Sequence, residues 1–436
     1  MKTLNTLMIL IVLCFSCIRL ASANDLIPGK TQQNPIALIN ANIYTVSGQV
    51  IKNGTLLFDK GVISSINNAK TGFPENTEII DVKGHNVYPG LIAPYSQIGL
   101  VEIGAVRATV DYNEAGSYNP NAKAAVAYNP DSEVTPTIRS NGITTALVAP
   151  KGGIISGQSS ILQLDGWNSE DATIKDIAGL HINWPRMTVS NSPRAKDSPE
   201  KQLEKIAENL NKLEDFFLDA KTYANAQKAD PGLKRDIRFD AIIPVLSGDV
   251  PLIIQADEYK EIEAAVNFCN TLDMKMILLG GRDAWKLTDL LVENNISVIL
   301  YQTHALPFRE DEDYDLPFKT PALLKEAGVK FCITKISSDM WDIRNLPFFA
   351  GTAAAHGLSK EDALKSITLW PAEILGIDKN YGSLDKGKSA TLVVSKGDIL
   401  DMQSSIIEMM FIDGRKVDLD DKHKRLYKKY EARYEN

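Results

Sequence analysis

The chain is poor in the residues that announce common chemistries. No glycine-rich phosphate loop occurs, because Gly152-Gly153 is not followed by Lys-Ser or Lys-Thr. No G-x-S-x-G nucleophile elbow occurs. No low-complexity tract or fixed-period repeat stands out, so a solenoid or a disordered scaffold is excluded. An excess of positive charge is also lacking: the net charge is -8, which argues against nucleic acid as a partner. Cysteine is scarce, with four in 436 residues. Cys14 and Cys17 lie in the leader, while Cys269 and Cys332 each sit in apolar surroundings and read as packed thiols. Nothing in the sequence pairs them.

What is present begins with a leader. Lys2 precedes the apolar run Leu7–Leu13, and Ala21-Ser22-Ala23 follows as a small-residue cleavage site. The run is too short for a membrane span and reads as a Sec signal, giving a periplasmic or secreted protein that starts near Asn24. A lipoprotein signal ending at Cys17 is the rival reading, and Cys14 and Phe15 fit a lipobox poorly. At the other end, Lys422–Lys429 mixes Lys, Arg and His with Tyr and reads as a solvated terminal helix.

Between these ends the pattern changes twice. Short β-branched runs broken by Ser47-Gly48 and Lys52-Asn53-Gly54 fill residues 35–82 and imply an antiparallel sheet. A similar block, Thr391–Ser395 and Ile406–Gly414, closes the chain, so one β-domain assembled from both termini is expected. The middle alternates apolar runs with helical stretches: Ile143–Ala149, Gly179–Ile182, Pro251–Gln255, Lys275–Leu279, Ile296–Tyr301 and Val329–Thr334 as strands. Helices are expected at Pro199–Ala220, Tyr259–Leu272, Ala284–Glu293 and Thr320–Glu326. This is the pattern of a parallel sheet, either a (β/α)8 barrel or an open doubly wound sheet. In both, function sits at the carboxyl ends of the strands.

The stretch Val87–Leu100 carries an apolar run into Pro89-Gly90 and then delivers small and polar side chains. Its frame Pro89-Gly90-Leu91-Ile92 resembles the first barrel strand of the amidohydrolase superfamily, P-G-L-I-D-x-H-x-H. Gly142-Ile143-Thr144-Thr145, Gly157-Gln158-Ser159, Ala353–Leu358, Thr368–Ile377 and Gly382–Val393 are similar to further segments of that family. The chain is thereby identified as a member, nearest to the imidazolonepropionase-like subgroup. The resemblance implies an α/β fold: a (β/α)8 TIM-like barrel beside a small β-sandwich domain built from the N- and C-terminal segments. The expected bounds are a signal peptide at 1–23, β-domain halves at 24–88 and 386–436, and the barrel at 89–385.

The family norm is zinc or another divalent metal, and hydrolysis of non-peptide or cyclic C–N amide bonds. Residue by residue, the resemblance puts Tyr95 and Gln97 where two histidines hold the metal, and Ala93 at the acidic position. The bridging lysine falls near Gln163, the next histidine at Gln255, and the following strand offers only Leu278–Gly281. Asp339, which matches the proton-accepting acid, alone retains its type. Amides and phenols are poor zinc donors, so no metal cofactor is expected and the hydrolytic centre reads as degenerate. The protein would then be a pseudoenzyme acting as a small-molecule binder, as a homo-oligomer or as a partner of an active relative. The alternative is a C–N hydrolase with a site rebuilt from Asp339 and His304, with His181 as a further pocket residue; a metal-independent isomerase or lyase is a third reading. His85 and His356 read as structural.

Overall fold

In the computed structural model, residues 26–68, 72–190, 192, 195–301, 303–336 and 340–434 are described. The expected leader, including Cys17, lies outside the described residues, as does Asp339.

The first sheet opens with β1 (Ile36–Ile43), β2 (Ile51–Asp59), β3 (Val62–Asn67), β4 (Glu78–Asp81) and β5 (Asn86–Pro89). The barrel strands follow: β6 (Leu91–Ser96), β7 (Ile143–Val148), β8 (Ile155–Gln163), β9 (Thr173–Asn183), β10 (Leu252–Ala256), β11 (Met276–Gly280), β12 (Ser297–Leu300) and β13 (Phe331–Ile333). The chain then returns to the first sheet through β14 (Leu392–Ser395), β15 (Ile407–Ile412) and β16 (Arg415–Lys416). That sheet runs β16-β15-β14-β5-β1-β2-β3, with β4 beside β1. Both termini therefore share it. The seam is the antiparallel pair of β5 and β14, in which Val87 faces Val394 and Pro89 faces Leu392. Phe58 and Phe411, one from each half, meet edge-to-face at 5.1 Å in its core, and His85 holds Glu408 at 2.7 Å across the same halves.

Pro89-Gly90 passes the chain from one sheet to the other. The Gly90 amide donates to Thr391 of the first sheet, and the next amide, Leu91, donates to Gly142 beside β7. A β-carbon on Gly90 would lie 2.2 Å from the Thr144 hydroxyl, so the crossing has room for glycine alone.

The barrel sheet runs β6 to β13 in sequence order. Closure is nearly complete: Ile333 donates to Ser366, Ile92 donates to Ile367, and the Thr334 hydroxyl donates to the Tyr95 carbonyl at 3.2 Å. The lumen is filled by Ile92, Leu147, Ile161, Ile253, Leu279 and Ile299, branched side chains from successive strands packed as one cluster. Helices at Pro199–Ala229, Tyr259–Leu272, Leu316–Glu326 and Leu346–Ala355 lie between or outside the strands. The helix Tyr259–Leu272 forms because Glu258 and Glu261 cap its first turn reciprocally, and its buried Ile262, Ala265, Val266 and Cys269 recur at helical spacing.

One strand departs from the alternation. β8 pairs antiparallel with both β7 and β9, while every other neighbouring pair in the barrel is parallel. The run Ile155–Gln163 therefore starts at the carboxyl rim, opposite Ile182, and ends at the amino rim, opposite Thr145.

Cys269 and Cys332 are buried free thiols, and burial pushes the Cys269 thiol up to about 12. The terminal helix Lys422–Tyr434 has no buried residue, as expected of a solvated helix. Among the described residues no helix is long and apolar enough to cross a membrane.

Candidate functional site

Four of the expected pocket residues converge on the carboxyl half of the barrel. Tyr95 is the penultimate residue of β6, and Gln97 follows that strand by one residue. His181 lies on β9 with its ring 5.7 Å from that of Tyr95. Gln255 on β10 shares the inward face of Ile253, and the register sets Ile253 beside His181 and Gln255 beside Asn183. Tyr95, Gln97 and His181 are all buried, at 3%, 8% and 4% exposure, so charge on any of them carries the full cost of desolvation. Burial pushes the Tyr95 phenol up to about 12 against the weaker pull of Gln97. Burial likewise pushes His181 down to about 3. At neutral pH the centre is a phenol, an uncharged imidazole and amides. Among the described residues the Nε2 atom of His181 meets no hydrogen-bond partner, and the Gln97 amide faces the Tyr95 phenol. Buried polar atoms without partners are costly, so the centre favours groups that can hydrogen-bond to it.

Two expected residues are elsewhere. Gln163 ends the reversed strand and so faces the opposite rim, where its amide donates to Asp171 at 2.9 Å and accepts from Arg415 at 3.0 Å. The expectation that it lines the pocket is corrected: it joins the barrel floor to the first sheet. His304 is exposed; its Nε2 pairs with the Thr352 hydroxyl and its ring stands edge-on to Phe349 at 4.9 Å. It packs on the helix Leu346–Ala355 rather than on Tyr95 or His181. Burial and the Lys335 charge hold it below the usual histidine range.

Sequence reasoning missed the groups just past the strand ends. Asp257 follows β10, and its Oδ2 accepts from the Tyr301 hydroxyl while its buried Oδ1 meets no partner among the described residues. Burial raises the Asp257 carboxyl, and Tyr301 and Arg282 pull it back only in part. Arg282 stacks on Phe308 at 3.6 Å and reaches Glu258 at 3.5 Å. With Gln255, Asn183, Trp184, Lys151 and Arg186, these residues line an open cleft of about 820 Å³ over the mouth. The available signal was positional: Asp257 stands two residues beyond Gln255, at a strand end.

The donor set does not suit zinc. Of Tyr95, Gln97, His181 and Gln255 only the imidazole is an ordinary zinc donor, and the phenol keeps its proton. Among the described residues no three His, Cys, Asp or Glu side chains are grouped to hold a metal ion.

The architecture is a TIM-like barrel with a companion sheet fed by both termini. Residues 320–417 match the model of the amidohydrolase family. Amidohydrolase tasK of Hapsidospora irregularis is 21% identical over 392 residues, which cover 83% of this chain and 39% of that protein. The chain thus spans about two fifths of the length of that curated relative. A crystal structure of an amidohydrolase from Thermotoga maritima superposes with a TM-score of 0.77 at 24% identity, covering 88% of this chain and 99% of that one. A Xaa-Pro dipeptidase with bound methionine superposes at 0.54 and 13% identity, over 88% and 100% of the two chains. Over residues 320–417 the chain thus matches the amidohydrolase family, and its fold is similar to that of the Thermotoga maritima amidohydrolase.

Proposed function

We propose that this protein is a small-molecule-binding member of its superfamily whose metal-dependent hydrolytic centre is degenerate. The observation that carries the reading is the pair on the first barrel strand. Where the superfamily resemblance places two metal-binding imidazoles stand Tyr95 and Gln97, both buried and neutral. A hydrogen-bonding ligand would satisfy the free nitrogen of His181, while Asp257 and Arg282 at the mouth offer one group of each sign. The hydrolase rebuilt on His304 is less well supported, because that ring is engaged by Thr352 and Phe349.

Metal analysis of the native protein, paired with a turnover screen on cyclic amides and dipeptides, tests the proposal. Sub-stoichiometric metal and no turnover above background are expected. Stoichiometric zinc, or turnover abolished by Asp339→Asn, would overturn it.

A further inference from the structure

A second cavity, of about 550 Å³, lies between the first sheet and the helix Lys360–Lys365, apart from every residue named at the barrel mouth. Its walls are Tyr44, Val46, Val50, Tyr88, Leu364 and Leu400. Tyr44 stacks at 4.5 Å, planes 25° apart, on the buried Tyr88, which fixes its ring and leaves the other face of Tyr44 for the cavity. Three charged residues line it: Lys360, Glu361 and Asp398, a net charge of −1 from one cation and two carboxylates. Glu361 is already matched by Lys365 at 2.5 Å. Asp398 accepts from the Leu400 amide at 3.0 Å and from Lys360 at 2.9 Å, but the Lys360 side chain is 78% exposed. Such a pair holds its lysine weakly.

The backbone supplies an independent sign. Val46 takes φ +69° although it is β-branched and buried, a conformation that side chains of its kind avoid. Backbone strain of this order persists where the surrounding structure enforces it, and it concentrates at ligand sites. Here it lies on the cavity wall itself, since Val46 is one of the lining residues.

We propose that this cavity is a second binding site, for an organic cation with a compact aromatic or aliphatic body. Its ammonium group replaces Lys360 on Asp398 and its body lies against the open face of Tyr44, which Tyr88 backs. An electron-rich ring face beside a carboxylate is the combination that attracts such a cation. An anionic ligand would meet Asp398 and Glu361, and a neutral one would leave the carboxylate unused.

The test is calorimetric titration of the full chain with 2-phenylethylammonium and, in parallel, with neutral 2-phenylethanol. The amine should bind about tenfold more tightly than the alcohol. Asp398→Asn keeps the acceptor for the Leu400 amide and should bring the amine down to the level of the alcohol. Lys360→Ala removes the resident cation and should tighten the amine roughly threefold while leaving the alcohol unchanged. Equal binding of the two probes to the unmodified protein overturns the proposal, and so does weaker amine binding in Lys360→Ala or no binding of either probe. Amine binding lost in Gln97→Ala would assign it to the barrel mouth and overturn the proposal as well.

Discussion

Arg415 and Gln163 meet at 3.0 Å, although one opens the last strand of the first sheet and the other ends a barrel strand. The same guanidinium donates to the Asp165 carbonyl at 2.8 Å, and Asp165 accepts from Arg139 at 2.8 Å and from the Gly29 amide at 3.0 Å. A buried carboxylate thus ties together the barrel floor, the segment before β1 and the returning end of the chain.

Removing that carboxylate leaves Arg139 buried without its ion. Asp165→Ala is expected to cost roughly 3–5 kcal/mol, the usual penalty for breaking a buried pair from one side. Urea denaturation measures it. A loss under about 1 kcal/mol would mean that the pair contributes no more than a surface contact.

Metal binding should be recoverable at one rim only. Tyr95→His with Gln97→His and Gln255→His is expected to create zinc affinity readable by calorimetry. Gln163→Lys should add nothing to it and should lower stability, because it sets a cation against Arg415. Zinc affinity that requires Gln163→Lys would contradict the strand direction described for β8.

His181 predicts a pH dependence. Its folded-state value, about 3, lies below its unfolded value of about 6.5, so the unfolded chain binds the extra proton between those limits. Stability is therefore full above about pH 6.5 and declines as the pH falls toward 3, by at most about 1.4 kcal/mol per unit from this group. His304, also held low, adds in the same direction. Stability measured from pH 7 to 5 should slope less in His181→Phe than in the unmodified protein. Parallel curves would show that the ring is solvated.

Ending the chain at Lys388 should release β1–β5 as well, since β5 loses its antiparallel partner and the sheet core loses Phe411. Limited proteolysis is expected to cut within residues 36–89. Full protection there would show that the two halves stand independently.

We also propose that the protein is exported with cleavage after Ala23. Mass spectrometry of the mature form would show Asn24 at its start; a lipid on Cys17 would replace this proposal with a lipoprotein.

Much of the scaffold was legible because its signals are local. Alternating and continuous apolar runs located most strands within two residues, and the helix Tyr259–Leu272 matched its expected bounds. β8 escaped because Ile155–Gln163 mixes Ser, Gly and Gln with isoleucine and leucine, so neither period is clean, and its direction depends on pairing at long range. That one reversal moved Gln163 from the mouth to the floor. For His304 the place after a strand said where the backbone goes, while Thr352 and Phe349 decide where the ring turns. Asp257 and the Tyr44–Tyr88 cavity rest on contacts between distant segments, which no single run of sequence displays.

The seam between β5 and β14 also sets an order of events during synthesis. Pro89 is made about 300 residues before its partner Leu392. Until the last tenth of the chain emerges, β5 has an open backbone edge and β1 and β2 lack half of their apolar cover. The barrel can assemble as its strands appear, each beside the one before it, but the first sheet made is the last to be finished. A nascent chain of this design therefore keeps its beginning unsealed until its end arrives.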